Sequence, residues 1–164
     1  DPTLRRVDIG VGEQVVLADT VGFIRHLPHD LVASFQSTLE ETREASLLLH
    51  VVDASSDRRE ENMQQVNVVL DKIDAGDVPQ IQIFNKLDLI EGAEPRVDRD
   101  EEGRVRRVWV SSKTGAGIDS LRAILHEICF DKPGLERYMK DVDGEHSDFA
   151  LIEAEIDAED VQSA

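Results

Sequence analysis

Residues 81–88 read Ile81-Gln82-Ile83-Phe84-Asn85-Lys86-Leu87-Asp88. An apolar, β-prone run stops abruptly at a polar quartet, the pattern of a strand that delivers a loop with chemistry on it. Upstream, Leu47-Leu48-Leu49-His50-Val51-Val52 is a second short apolar run and ends in Asp53. Downstream, Val105 to Val110 is a third and ends in Ser111-Ser112-Lys113-Thr114-Gly115. Between the second run and the quartet, Met63, Val66, Leu70 and Ile73 recur at helical spacing. Ser55, Ser56 or Asp57 is placed to cap that helix, Gly76 closes it and Pro79 marks the loop beyond. Ile118, Leu121, Leu125 and Ile128 form a further helix after the third run. Strands without clean alternation are buried on both faces, and strand–helix alternation implies an α/β fold: a mostly parallel sheet flanked by helices.

Nearer the start, Val7, Ile9 and Val11 alternate, Gly12-Glu13 makes a turn, and Val15-Val16-Leu17-Ala18 returns as the second arm of a hairpin ending at Asp19. Leu31, Phe35 and Leu39 recur at helical spacing up to about Arg43. Residues 91–104 are charged and turn-rich and read as a surface loop. Polar clusters therefore follow strands at Asp19, Asp53, Asn85 and Ser111. In open parallel sheets the ligand crevice lies beyond the carboxyl ends of the strands, so the four clusters are expected on one edge.

Each cluster has its own chemistry. In Asp19-Thr20-Val21-Gly22 a carboxylate can hold Mg²⁺ through water, and Gly22 can present a backbone N–H to a terminal phosphate. As an isolated string this is common at strand–turn junctions. In Asn85-Lys86-Leu87-Asp88 the Asp88 carboxylate can accept two hydrogen bonds, matching the N1–H and 2-amino group of guanine. Adenine offers neither donor there and leaves the pair unsatisfied, which is how polar sites discriminate. Asn85 can bond the purine edge and tie neighbouring loops, and the Lys86 stem can lie over the ring. At Ser111-Ser112-Lys113 the Ser112 N–H can meet the guanine O6 and the Lys113 stem can cover the other ring face. The bland alternatives are a polar turn for the second string and a helix cap for the third. Order and spacing favour a single guanine-nucleotide site, with about 66 residues from Asp19 to Asn85 and about 26 more to Ser111.

Composition narrows the setting. The formal net charge is −17, and residues 141–164 hold nine acids and no Lys or Arg. No basic nucleic-acid footprint is visible. The longest apolar stretch, Ser46 to Val52, is far short of the roughly 20 residues of a membrane span. The single Cys129 falls on an apolar helix face as a small buried hydrophobe. These features point to the cytoplasm. His26, His29, His50, His126 and His146 lack metal-ligand spacing. The acidic end is expected to be mobile from about Asp141, with Phe149, Leu151, Ile152 and Ile156 able to form one short amphipathic turn.

The run Asp19-Thr20-Val21-Gly22-Phe23-Ile24-Arg25-His26-Leu27-Pro28-His29-Asp30-Leu31-Val32 closely resembles the switch II segment of HflX-type ribosome-associated GTPases. Asp1-Pro2-Thr3-Leu4-Arg5-Arg6 resembles the end of that family's switch I, and residues 48–55 and 85–88 resemble its strand and base-reading loop. The resemblance covers residues 1 to about 129. It implies a P-loop GTPase fold, GTP/GDP binding, slow GTP hydrolysis with Mg²⁺, and association with the large ribosomal subunit. By position it makes Asp19 the Mg²⁺-linked aspartate and Gly22 the γ-phosphate sensor. Asn85, Lys86 and Asp88 would read guanine, with Ser111, Ser112 and Lys113 completing the pocket. Phe23 occupies the place where many GTPases put a water-orienting Gln.

The sequence also departs from that pattern. No G-x-x-x-x-G-K-[ST] occurs in the 164 residues. On the resemblance the fold is therefore truncated at its N-terminus, with residues 1–130 the C-terminal two-thirds of a GTP-binding domain and 131–164 an acidic tail or divergent segment. The absent first strand would lie between the strand ending at Asp19 and the one ending at Asp53, leaving two bare strand edges and a chain inactive by itself. The competing readings are a non-catalytic guanine-nucleotide or interaction module and another translation-associated GTPase.

Overall fold

The computed structural model describes residues 3–10, 12–19, 40, 42–131 and 150–155, with backbone only at Thr3, Asp19 and 150–155. The elements are β1 (Thr3–Gly10), β2 (Glu13–Asp19), β3 (Leu47–Asp53), α1 (Arg59–Lys72), β4 (Gln80–Asn85), β5 (Arg96–Arg99), β6 (Val105–Trp109), α2 (Ile118–Cys129) and β7 (Ala150–Glu155). One sheet takes all seven strands in the order β1-β2-β7-β3-β4-β6-β5. The five inner strands run parallel, and β1 and β5 are antiparallel edges. The expected Leu31–Leu39 helix lies outside the described residues, apart from the helical residues 40 and 42–44 at its end.

Burial explains the strand sequences. Six of the seven β3 positions are buried, so its apolar run has no polar face to show. Leu47, Leu49 and Val51 join Ile81, Ile83 and Val108 under Ile124, Leu125 and Ile128 of α2. Leu48 packs on the opposite face with Val66, Leu70 and Ile73 of α1, and Val52 joins Met63, Phe84 and Trp109 nearby. Cys129 is buried as expected, and burial pushes its thiol up to about 11.

Three expectations change. Residues 91–104 are not wholly loop: Arg96–Arg99 pairs with β6 as the sheet edge. Its charges are the reason it is ordered. The Trp109 indole N–H donates to Asp98 at 2.8 Å, the Arg96 guanidinium lies 4.1 Å over the Trp109 ring, and Arg99 grips Glu127 of α2 with two 2.8 Å bonds. The α1 cap also differs. Arg58 takes that position with no side-chain cap bond, because the Ser55 hydroxyl turns back to Asp53 and the Ser56 hydroxyl accepts from the Arg58 N–H.

The third change is the largest. The acidic end supplies a strand, β7, rather than a helical turn, and it lies between β2 and β3. Val16 to Asp19 pair with Ala150 to Glu153 on one side, and Leu47 to Val51 pair with Leu151 to Glu155 on the other. The two edges expected to be bare are thereby hydrogen-bonded. A gap between parallel strands offers unsatisfied N–H and C=O groups on both sides, so any extended segment that can reach it gains two ladders at once.

Candidate functional site

The carboxyl ends of β2, β3, β4 and β6 open on one edge of the sheet, as the parallel arrangement requires. Asp19 ends β2 there, level with Glu153 of β7. With β7 and β3 between them, Asp19 and Asn85 are three strand spacings apart, about 14 Å. Gly22, with Thr20, Val21 and Phe23, lies outside the described residues.

The polar strings that follow β4 and β6 are clasped together by side chains. The Asn85 amide donates to the Ser112 hydroxyl at 3.1 Å, and its oxygen accepts the Ser112 N–H at 2.9 Å. The Ser111 hydroxyl donates to Asp88 at 2.6 Å and accepts the Thr114 N–H at 3.2 Å. Ser111 is almost fully buried, whereas Asp88 is exposed. The serine thus holds the carboxylate from below and leaves its outer lone pairs facing solvent. Backbone bonds reinforce the clasp: Val110 N–H donates to the Phe84 carbonyl at 2.8 Å and Leu87 N–H to the Val110 carbonyl at 3.1 Å.

The loop shapes follow from a few backbone positions. Lys86 has φ +64°, a left-handed conformation that reverses the chain directly after β4 into the short 3₁₀ turn Leu87–Leu89. At Gly117, φ is +78°, and a Cβ there would meet the Trp109 carbonyl oxygen at 2.5 Å. Only glycine lets the chain pass so close to β6 on its way into α2.

Lys86 and Asp53 form the site's charged contact. The Lys86 ammonium donates to Asp53 Oδ2 at 3.1 Å, while Oδ1 accepts the Ser55 N–H at 3.0 Å and hydroxyl at 2.6 Å. Burial alone would raise the Asp53 carboxyl, but the bonds from Ser55 and Lys86 outweigh it and hold the group below the usual carboxylate range. Lys113 is exposed, and its side chain makes no hydrogen bond or ion pair among the described residues.

The structure therefore brings Asn85, Lys86, Asp88, Ser111 and Ser112 into one constellation, with Lys113 at its rim. One detail differs from the sequence reading: the Ser112 N–H, expected to face a guanine O6, is taken by Asn85. Asp53, which the sequence marks only as a polar strand end, joins the site because an acid ending the neighbouring parallel strand lies level with Asn85.

A mostly parallel sheet with two such clasped loops at its carboxyl edge is the frame of an α/β nucleotide-binding domain. The family model described as "50S ribosome-binding GTPase" matches residues 1–86. The GTPase HflX of Escherichia coli K12 is 58% identical over 127 residues, 77% of this chain and 30% of that protein. The GTPase HflX of Caldanaerobacter subterraneus is 44% identical over 121 residues, covering 74% of this chain and 27% of that protein. That of Magnetococcus marinus is 42% identical over 121 residues, covering 74% and 28%. The chain belongs to the 50S ribosome-binding GTPase family and is of its HflX type. It spans less than a third of the length of these relatives.

Proposed function

We propose that this chain is the base-reading part of a protein that binds GTP and GDP and hydrolyses GTP in association with the large ribosomal subunit. The observation that supports it best is the double clasp of Asn85 on Ser112 and Ser111 on Asp88, which presents one outward carboxylate beside a left-handed lysine. Asp88 accepts the guanine N1–H and 2-amino group, and Asn85 bonds the purine edge. Lys86 and Lys113 cover the two ring faces. Guanine O6 is met by the Lys113 N–H, since the Ser112 N–H is engaged by Asn85. Residues 1–130 make up the nucleotide-binding unit, and 131–164 is a segment that lends it β7.

Asp19, ending β2 on the same edge, is the residue that would hold Mg²⁺ through water, and a carboxylate oxygen suits that hard cation. When bound, the ion neutralises charge on the β- and γ-phosphates. Gly22 follows three residues on and offers its N–H to the γ-phosphate. The family description names the 50S particle, and we extend that partner to this protein. The chain's acidity means that phosphate contacts to ribosomal RNA come mainly from other parts of the protein. The single cysteine and the lack of a helix long and apolar enough to cross a membrane among the described residues fit a cytoplasmic setting.

The test is a nucleotide titration of the full-length protein carrying this chain, followed by sedimentation with 50S particles. GTP and GDP should bind, ATP should not, and GTP should promote co-sedimentation. Equal binding of ATP would remove the base-reading assignment. A second reading, guanine binding without hydrolysis, is favoured for these 164 residues by themselves, because no G-x-x-x-x-G-K-[ST] lies within them.

A further inference from the structure

We propose that Asp53 is a positioning residue for guanine recognition: it fixes the Lys86 side chain so that the lysine stem forms a standing wall of the base pocket. The inference rests on the guanine reading of the Asn85–Asp88 loop given above.

Lys86 is held at both ends. At its backbone, φ +64° and ψ +33° fix the direction in which the side chain leaves the chain. At its tip, the ammonium donates to Asp53 Oδ2 at 3.1 Å. Between these points runs a four-carbon stem that in a free lysine samples many rotamers, and ordering such a stem carries an entropic cost. Because the cost is met within the protein, a base arriving at the pocket finds the apolar surface already in place. Preorganisation of this kind raises affinity without adding a contact to the ligand.

Asp53 is itself well fixed. It ends β3 in register with Asn85 of β4, and the Ala54 N–H donates to the Asn85 carbonyl at 3.0 Å, so the two strand ends cannot slide apart. Ser55 grips the other carboxylate oxygen with two bonds. The Asp53 side chain is only 14% exposed and that of Lys86 is 30% exposed, so water screens the pair less than it does a surface salt bridge. The acid also turns the ammonium toward β3, on the side away from the Asp88–Ser111 clasp. This leaves the Asp88 carboxylate for the base instead of for an internal ion pair with its loop neighbour. Asp53 touches no base; it acts through Lys86.

The experiment is a double-mutant cycle in the full-length protein, read as the Kd of a fluorescent GDP analogue. Asp53→Asn should weaken binding about ten-fold, and Lys86→Met by at least as much. In the Lys86→Met background the Asp53→Asn change should move Kd less than two-fold. Ser55→Ala, which loosens Asp53 without removing its charge, should give a smaller loss in the same direction and guards against poor folding of the Asp53 variant. Equal losses from Asp53→Asn in both backgrounds would show a general structural role and overturn the proposal, as would an unchanged Kd in the single variant. Asp88→Asn serves as the separate control. If it shifts preference from guanine to xanthine nucleotides while Asp53→Asn does nothing, the positioning role alone fails. If it changes nothing, the guanine reading fails with it.

Discussion

Asp88 accepts a hydrogen bond from buried Ser111 and is exposed beyond it, so under the proposed function its identity sets which base is accepted. Asp88→Asn should cost about 2 kcal/mol or more for GTP, because an amide cannot accept from both guanine donors. The same change should improve xanthosine triphosphate binding, since the amide can donate to the 2-oxo group. Competition between the two nucleotides measures this, and an unchanged preference would contradict the role. A second residue governs pH behaviour. His50 is buried in β3 with Nδ1 unpartnered, and burial lowers it from the usual 6.5 to about 4. The unfolded chain takes up a proton below about 6.5 that the folded chain refuses until about 4, so stability falls as pH drops through that window. The loss from this group approaches roughly 3 kcal/mol at the acid end. His50→Leu should flatten that part of the curve in urea melts recorded from pH 7 to pH 4. Asn85, Asp88 and Ser112 were legible because they follow strands at a fixed spacing. The hydrogen bond that takes the Ser112 N–H was not, since it depends on which of two loops an amide side chain faces.

Among the elements, β3, β4, β6, α1 and α2 could be read from apolar periodicity, because each buries a continuous run or a clear stripe. β5 escaped because its four residues carry charge on a sheet edge, where the stabilising contacts are an indole, a guanidinium and a carboxylate rather than apolar packing. Arg99→Ala should therefore loosen the edge from α2 at small cost, about 1 kcal/mol or less, because the ion pair with Glu127 is partly solvent-exposed. β7 escaped for a different reason. Its local sequence has four apolar residues and two acids, and nothing in six residues indicates a vacancy between two strands far upstream. Removing residues 141–164 should now lower the melting temperature by roughly 10 °C or more, since two parallel ladders are lost. A melt within two degrees of the intact chain would show that β7 contributes nothing to the folded sheet.

At the scale of the whole molecule, β7 fills the space between β2 and β3, so among the described residues the sheet has no bare internal edge. The 164-residue chain should accordingly run as a monomer on a sizing column and melt cooperatively. It should still fail to turn over GTP, since the phosphate-cradling loop is not among its residues. A measurable Mg²⁺-dependent turnover by the purified chain would contradict this. The order of strands also has a kinetic meaning. β3, β4 and β6 lie close together in the sequence and can zip up as soon as they meet, but Val16 finds its partner Ala150 about 130 residues away. Closing so long a loop is entropically slow, and topologies rich in distant pairings fold late. The β1–β2 hairpin can rest its Ile9 and Val15 on α2 early, but it joins the sheet only when the far end of the chain arrives to bridge it to β3. In a stopped-flow refolding trace, Trp109 fluorescence on the β4–β6 side should recover before a probe placed on β2, with the interval set by diffusion of the connecting chain.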